Sequence, residues 1–234
     1  ELASERFWAD ITHFEGNANA FRLLTHRFIG RREGGFAMTY STLASIVKYP
    51  FASTEAGEHG KFGFFATEED TFLKIADQLG LRRLSAPDAP AAYARHPLVY
   101  LVEAADDICY EIMDMEDAHK LKVLSFAETR DLLLGFFDER TKDEITARIE
   151  NEGISDENEQ IVYMRARAIN ILETECVKVF VDNEEAILQG TFSGSLVSHI
   201  GERTKKAYER CVNVSMRKIY CSKPVLDIEL SGYK

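Results

Sequence analysis

Apolar residues recur at helical spacing along most of this 234-residue chain, and that periodicity constrains the fold more than any other feature. Phe14, Ala18, Phe21, Leu24 and Phe28 mark one helix face over 14–28, ended by Gly34 and Gly35. A shorter helical stretch over 41–49 stops at Pro50, which has no amide donor and disfavours the helical conformation before it. Residues 52–63 show no period and read as an exposed loop. Phe62, Phe64 and Phe65, in a Gly-broken segment, read as anchors of this loop to the core. Thr67 followed by Glu68, Glu69 and Asp70 predicts a capped helix start, with acids at the positive end of the dipole, and Gly80 closes that helix. Residues 85–97 hold three of the five prolines and form a connector.

The second half is more strongly patterned. A long helix is predicted over 98–121, then two more over 125–135 and 138–151. Asp156 with Glu159 makes a capping box for the longest helix, 159–182. Its Ile161, Met164, Ala168, Ile171, Leu172, Cys176 and Val179 form a packing face. Residues 184–189 and 196–211 continue the helical pattern. Only 217–219 and 225–230 alternate like short strands. The expected fold is therefore mainly α, a single helical domain with parts 1–121 and 122–234, and a small β-ribbon near the C-terminus.

A composition of 45% hydrophobic and 29% charged residues describes a chain with a packed core. The net charge of −11 excludes a protein whose whole surface grips nucleic acid and leaves room for a local anion site. The basic pairs Arg31–Arg32, Arg82–Arg83 and Lys205–Lys206 read as solvated surface. No apolar run approaches a membrane span. Cys109, Cys176, Cys211 and Cys221 contain no C-x-x-C pair, so zinc-ribbon spacing is absent. Cys109 and Cys176 read as small buried hydrophobes in a reducing, cytoplasmic compartment. The N-terminus lacks the apolar core of a signal peptide. Both ends read as cut, as in the middle-to-late part of a longer protein.

Chemistry concentrates in the long helix. Asp106, Tyr110 and Asp114 are spaced four apart, and each step of four turns the helix about 40° past a full circle. The three side chains therefore share one slowly rotating stripe, with Leu98 and Val102 one and two turns earlier. A stripe that begins apolar and turns into Asp, Tyr, Asp, with Ile108 and Ile112 close by, is either a solvated acidic face or a site for a metal or sugar hydroxyl.

The run Tyr100-Leu101-Val102-Glu103-Ala104-Ala105-Asp106-Asp107-Ile108-Cys109-Tyr110, with Asp114 and Glu116-Asp117-Ala118, closely resembles the late helix of the dGTPase-like deoxynucleoside triphosphate triphosphohydrolases, a branch of the HD-domain phosphohydrolases. Phe14-Glu15-Gly16-Asn17-Ala18 and Phe21-Arg22-Leu23-Leu24 resemble the segment after that family's HD motif. Thr42-Leu43-Ala44 to Lys48-Tyr49-Pro50 resembles its Lys-Tyr-Pro element. The three matches occur in family order within 14–118.

The resemblance implies an HD-like helical core over 1–121 and a helical C-terminal part over 122–234. It implies hydrolysis of a deoxynucleoside triphosphate, dGTP or several dNTPs, to deoxynucleoside and triphosphate. It implies a divalent metal such as Mg or Mn with Asp106 as catalytic ligand, a hard oxygen donor. Asp114 would accept from the 3′-hydroxyl, and Tyr110 would pack under the sugar where a 2′-hydroxyl does not fit. Lys48 and Tyr49 would approach the triphosphate, and Asn17 would hydrogen-bond near the substrate. Arg217 and Lys218 are further candidates for the triphosphate. A homo-oligomer is implied; nucleic-acid binding is not indicated by charge.

One departure from the family pattern is large. The family's lone metal-binding His and adjacent His-Asp pair have no counterpart among His13, His26, His59, His96, His119 and His199. His96, before Pro97, reads as structural, a cap at the helix entry. The chain alone is expected to be inactive. Two alternatives stand beside the enzyme reading: a non-catalytic nucleotide-binding module that has lost its metal centre, and an HD phosphohydrolase acting on a nucleotide monophosphate.

Overall fold

A computed structural model describes residues 5–30 and 34–232. The pair Arg31–Arg32 and both chain ends lie outside the described residues. The fold is mainly α. Among the described residues, extended pairing is confined to three single bridges, Phe51 with Ala92, Ala52 with Phe64 and Arg83 with Tyr93. No described helix is long and apolar enough to cross a membrane.

The chain forms two compact units, one drawn from Glu1–Glu103 and Asp182–Gly194, the other from Ala104–Val181 and Ser195–Lys234. The first unit opens with α1, Glu5–Thr12, a helix the sequence reading did not anticipate. Helix α2, Gly16–Thr25, starts at the buried Glu15, whose carboxylate accepts the amides of Asn17 and Ala18. Helix α3, Tyr40–Ser45, is shorter than 41–49, because the chain leaves helical geometry ahead of Pro50. The 52–63 segment is not an exposed loop throughout. It coils into 3₁₀ turns over Ser53–Glu55 and Gly57–His59, with Ala52, Ser53 and Phe62 buried. Helix α4, Glu69–Gln78, follows another 3₁₀ turn and has no side-chain cap; Thr67 instead donates to Glu68 at 2.8 Å. At its end Gly80 takes φ +63°, with the Leu81 amide on the Ala76 carbonyl, as a Schellman stop requires.

The core of this unit joins Phe21, Leu43, Ala44, Val47, Phe64, Phe72 and Ile75, with Phe64 stacked on Phe72 at 4.3 Å. Phe62 and Phe65 pack with Ala18, so all three phenylalanines of 62–65 are anchors. Helix α9, Glu184–Leu188, belongs to the same unit.

Helix α5, Pro97–Lys120, contributes its first residues to the first unit and the rest to the second. His96 caps it: the Leu98 amide donates to Nδ1 at 3.2 Å. The second unit continues with α6, Phe126–Leu134, opened by a reciprocal Ser125–Glu128 capping box, and α7, Glu139–Asn151, capped by Asp138. Helix α8, Glu157–Asp182, starts two residues earlier than expected, with the Glu159 amide on Asp156. Ile161, Met164, Ala168, Leu172, Cys176 and Val179 are buried as the periodicity predicts, and Ile171 is half-buried. Glu175 of α8 accepts both the Gly201 amide and the Thr204 hydroxyl, capping α10, Glu202–Val214, from a distance in sequence.

Two expectations are corrected here. The C-terminal β-ribbon is absent among the described residues: Ser215–Tyr220 forms a π-helical turn and Lys223–Gly232 forms α11. The alternation over 225–230 also fits helical spacing, Val225 with Ile228 and Leu226 with Leu230, so a six-residue window did not separate the two periods. Cys109 is exposed, since it falls on the outer side of α5, whereas Cys176 and Cys211 are buried, with thiols pushed up by burial to about 11 and about 12.

Candidate functional site

The stripe of α5 faces outward. Leu98, Val102 and Tyr110 are 42%, 45% and 60% exposed, Asp106 is exposed and Asp114 is half-buried. Large apolar side chains left in the open beside carboxylates are the informative departure from an ordinary solvated helix face. Asp106 has no hydrogen-bond or ion-pair partner among the described residues. Asp114 accepts a hydrogen bond from the Tyr220 hydroxyl, and the Tyr220 ring lies nearly parallel to Tyr110, 14° between planes and 6.1 Å between centroids. Thus Tyr110, Asp114 and Tyr220 form one cluster in the second unit.

Helix α5 also carries three buried glutamates, Glu103, Glu111 and Glu116. Glu103 is 8% exposed and holds a cation on each oxygen: Lys48 at 3.1 Å on Oε1 and Arg95 at 2.8 Å on Oε2. Arg95 also donates to the Lys48 carbonyl at 3.0 Å and lies over the Tyr100 ring. Glu111 is buried and accepts from the Ser215 hydroxyl at 2.6 Å; burial pushes its carboxyl up, and the Ser215 bond offsets part of that. Glu116 pairs with Lys120 and Arg165. A buried carboxylate needs such partners, so each of these glutamates points to a structural donor nearby.

The remaining predicted residues lie in the first unit. Lys48 sits in the turn after α3, paired with Glu103 and 5.9 Å from the Tyr49 ring centroid. Tyr49 makes an edge contact with Phe51. Its backbone is fixed from behind by Gly63, where an added Cβ would stand 2.2 Å from the Tyr49 carbonyl oxygen. Asn17 is half-buried and donates its side-chain amide to Glu15 at 2.9 Å, beside Lys61 on the same carboxylate. Burial alone would raise the Glu15 carboxyl, but the bonds from Lys61 and Asn17 together hold it below its usual value. The structure therefore groups Asn17, Lys48 and Tyr49 in one unit and Asp106, Tyr110 and Asp114 in the other.

Arg217 and Lys218 are exposed on the π-turn, with Lys218 paired to Glu128. Arg82 and Arg83 donate to backbone carbonyls, and Lys206 pairs with Glu202. No group of three or more His, Cys, Asp or Glu side chains able to hold a metal ion occurs among the described residues. A catalytic divalent ion takes about three or four protein ligands, and Asp106 is one exposed carboxylate. The described residues by themselves do not fit a metal centre.

No family model matches the chain. Relatives do. A protein of Pseudomonas aeruginosa named deoxyguanosinetriphosphate triphosphohydrolase-like protein is 35% identical over 230 residues, covering 96% of this chain and 50% of that protein. A protein of the same name from Synechocystis is 35% identical over 235 residues, covering 97% and 50%. A deoxyguanosinetriphosphate triphosphohydrolase of Salmonella paratyphi A is 27% identical over 243 residues, covering 96% and 45%. The chain spans about half the length of the curated relatives it matches.

Proposed function

We propose, from the premise that the chain belongs with the deoxyguanosinetriphosphate triphosphohydrolase-like proteins along the half of their length it spans, that the whole protein hydrolyses a deoxynucleoside triphosphate to deoxynucleoside and inorganic triphosphate. The observation that carries this is the similarity over 96% of the chain to relatives of that name. The open Asp106–Tyr110–Asp114 stripe of α5 supports it.

In this reading Tyr110 and Asp114 take the deoxyribose. Asp114 keeps Oδ1 without a partner among the described residues, so that oxygen accepts from the 3′-hydroxyl. The exposed Tyr110 ring lies against the sugar and denies space to a 2′-hydroxyl. Lys48 and Tyr49 serve the phosphates. Transfer of Lys48 from Glu103 to a phosphate does not strand a buried anion, because Arg95 stays on the other carboxylate oxygen. Asn17 is already engaged by Glu15, so its part in substrate binding is to exchange or share that bond. Asp106 would contribute one ligand to a divalent ion, Mg or Mn, whose other ligands the described residues do not supply. The assembly is a homo-oligomer, like the family resemblance that suggests it.

The test is the product formed by the full-length protein with dGTP. Triphosphate as the inorganic product supports the reading; orthophosphate or pyrophosphate overturns it. Asp106→Ala should lower turnover by about a thousandfold, the scale of several kcal/mol that a metal centre contributes. A variant with retained turnover removes Asp106 from the ligand set.

A further inference from the structure

The π-turn Ser215–Tyr220 is the one described segment that departs from α geometry inside an otherwise regular helical run, between α10 and α11. Such turns are rare and occur often at functional sites. Both ends of this one are tied to the same neighbouring helix. Ser215, fully buried, donates to Glu111 at 2.6 Å, and Tyr220 donates to Asp114. On an α-helix two residues five apart point about 140° away from each other. The i→i+5 bonding of a π-turn wraps about one full turn over that interval and brings both side chains to one side. Ser215 and Tyr220 can therefore both reach α5 only because the turn is wide.

We propose that this π-turn is a positioning device for the sugar-facing side chains, and that Tyr220 is its working residue, holding Asp114 Oδ2 through its hydroxyl and Tyr110 through ring stacking. The inference rests on the reading that Asp114 accepts from the 3′-hydroxyl. A lone aspartate on a helix surface samples several rotamers, and ordering it on binding costs affinity. With Oδ2 occupied beforehand, Oδ1 is presented in a fixed direction and the cost is met in folding. Tyr220 is suited to donate: burial first, and the Asp114 carboxylate second, hold its phenol well above the usual value, so it stays protonated across the neutral range. Its ring covers one side of Tyr110, 6.1 Å between centroids, which fixes the second sugar-facing side chain with the same residue.

The test compares dGTP with 2′,3′-dideoxyguanosine triphosphate as substrates of the full-length protein. Tyr220→Phe keeps the ring and removes the hydroxyl. Its preference for dGTP over the dideoxy analogue, in kcat/KM, should fall about tenfold, with the loss in KM for dGTP rather than in kcat. A Tyr220→Phe protein with the wild-type preference overturns the proposal. A double-mutant cycle guards against a purely structural effect: once Asp114→Ala is in place, Tyr220→Phe should change the preference no further, and additive losses overturn the coupling. The underlying sugar reading fails separately, if the wild-type protein treats the two substrates alike or if Asp114→Ala keeps the preference.

Discussion

Single side chains decide what the charge pattern means. Glu103, Glu111 and Glu116 are buried, while Asp106 on the same helix is open. The sequence shows seven acids on this helix without distinguishing these two conditions, because burial of a carboxylate depends on donors from other segments, here Lys48, Arg95, Ser215 and Arg165. His96 is different, since its role was legible from its place before Pro97. Its Nδ1 accepts the Leu98 amide, which requires that nitrogen to be unprotonated, and burial lowers its pKa. The unfolded chain then binds the proton more readily than the folded one, so stability is present above the ordinary value of 6.5 and is lost as pH falls through the lowered folded value. The melting temperature followed from pH 7.5 to 5 should drop more steeply in the wild type than in His96→Asn, which keeps a capping acceptor and cannot titrate. Parallel slopes would show that the cap does not depend on protonation.

At the scale of elements, helix ends carry the testable content. Helix α4 ends on Gly80 in the left-handed region, as its sequence announced. Helix α5 ends in the same way with a different residue: the Val123 amide bonds the Ala118 carbonyl at 2.8 Å, and Lys122 takes φ +58°. A side chain with a Cβ is disfavoured there by about 1–2 kcal/mol, and glycine gives back part of that in unfolded-state entropy. Lys122→Gly should therefore stabilise the protein by about 1 kcal/mol, read as a higher urea midpoint with an unchanged slope. An unmoved or lower midpoint would mean that the Lys122 side chain makes a compensating contact. The same scale shows where periodicity succeeds and where it stops. Helices α5 to α8 were legible within two residues because long windows average out exceptions. Helix α1 is not legible, although Phe7 and Ile11 have helical spacing, because it is only eight residues long. The strand reading of 225–230 failed for the same reason, and nothing in 215–220 advertises a π-turn, whose cause lies on α5.

At the scale of the whole chain, the units are assembled from discontinuous segments, 182–194 returning to the first, and no linear pattern marks such a return. The candidate site was legible in its residue types and not in its state. The sequence placed Asp106, Tyr110 and Asp114 on one stripe, and the structure leaves that stripe open; the partner Tyr220, 106 residues beyond Asp114, came only from the fold. The missing His-Asp pair has a direct physical consequence. A single exposed carboxylate competes poorly with water for a divalent ion, since most of the ion's hydration shell must be replaced by protein donors for tight binding. The 234-residue chain titrated with Mn²⁺ in a calorimeter should therefore show no stoichiometric binding at micromolar concentrations, and it should release no triphosphate from dGTP. The full-length protein should bind the ion, and Asp106→Ala should weaken that binding by more than the roughly 10–100-fold that loss of an outer-shell partner costs, because a direct ligand is removed. Stoichiometric binding by the 234-residue chain would mean that its own carboxylates converge into a site, and Asp106 would then be a member of a different centre from the one proposed.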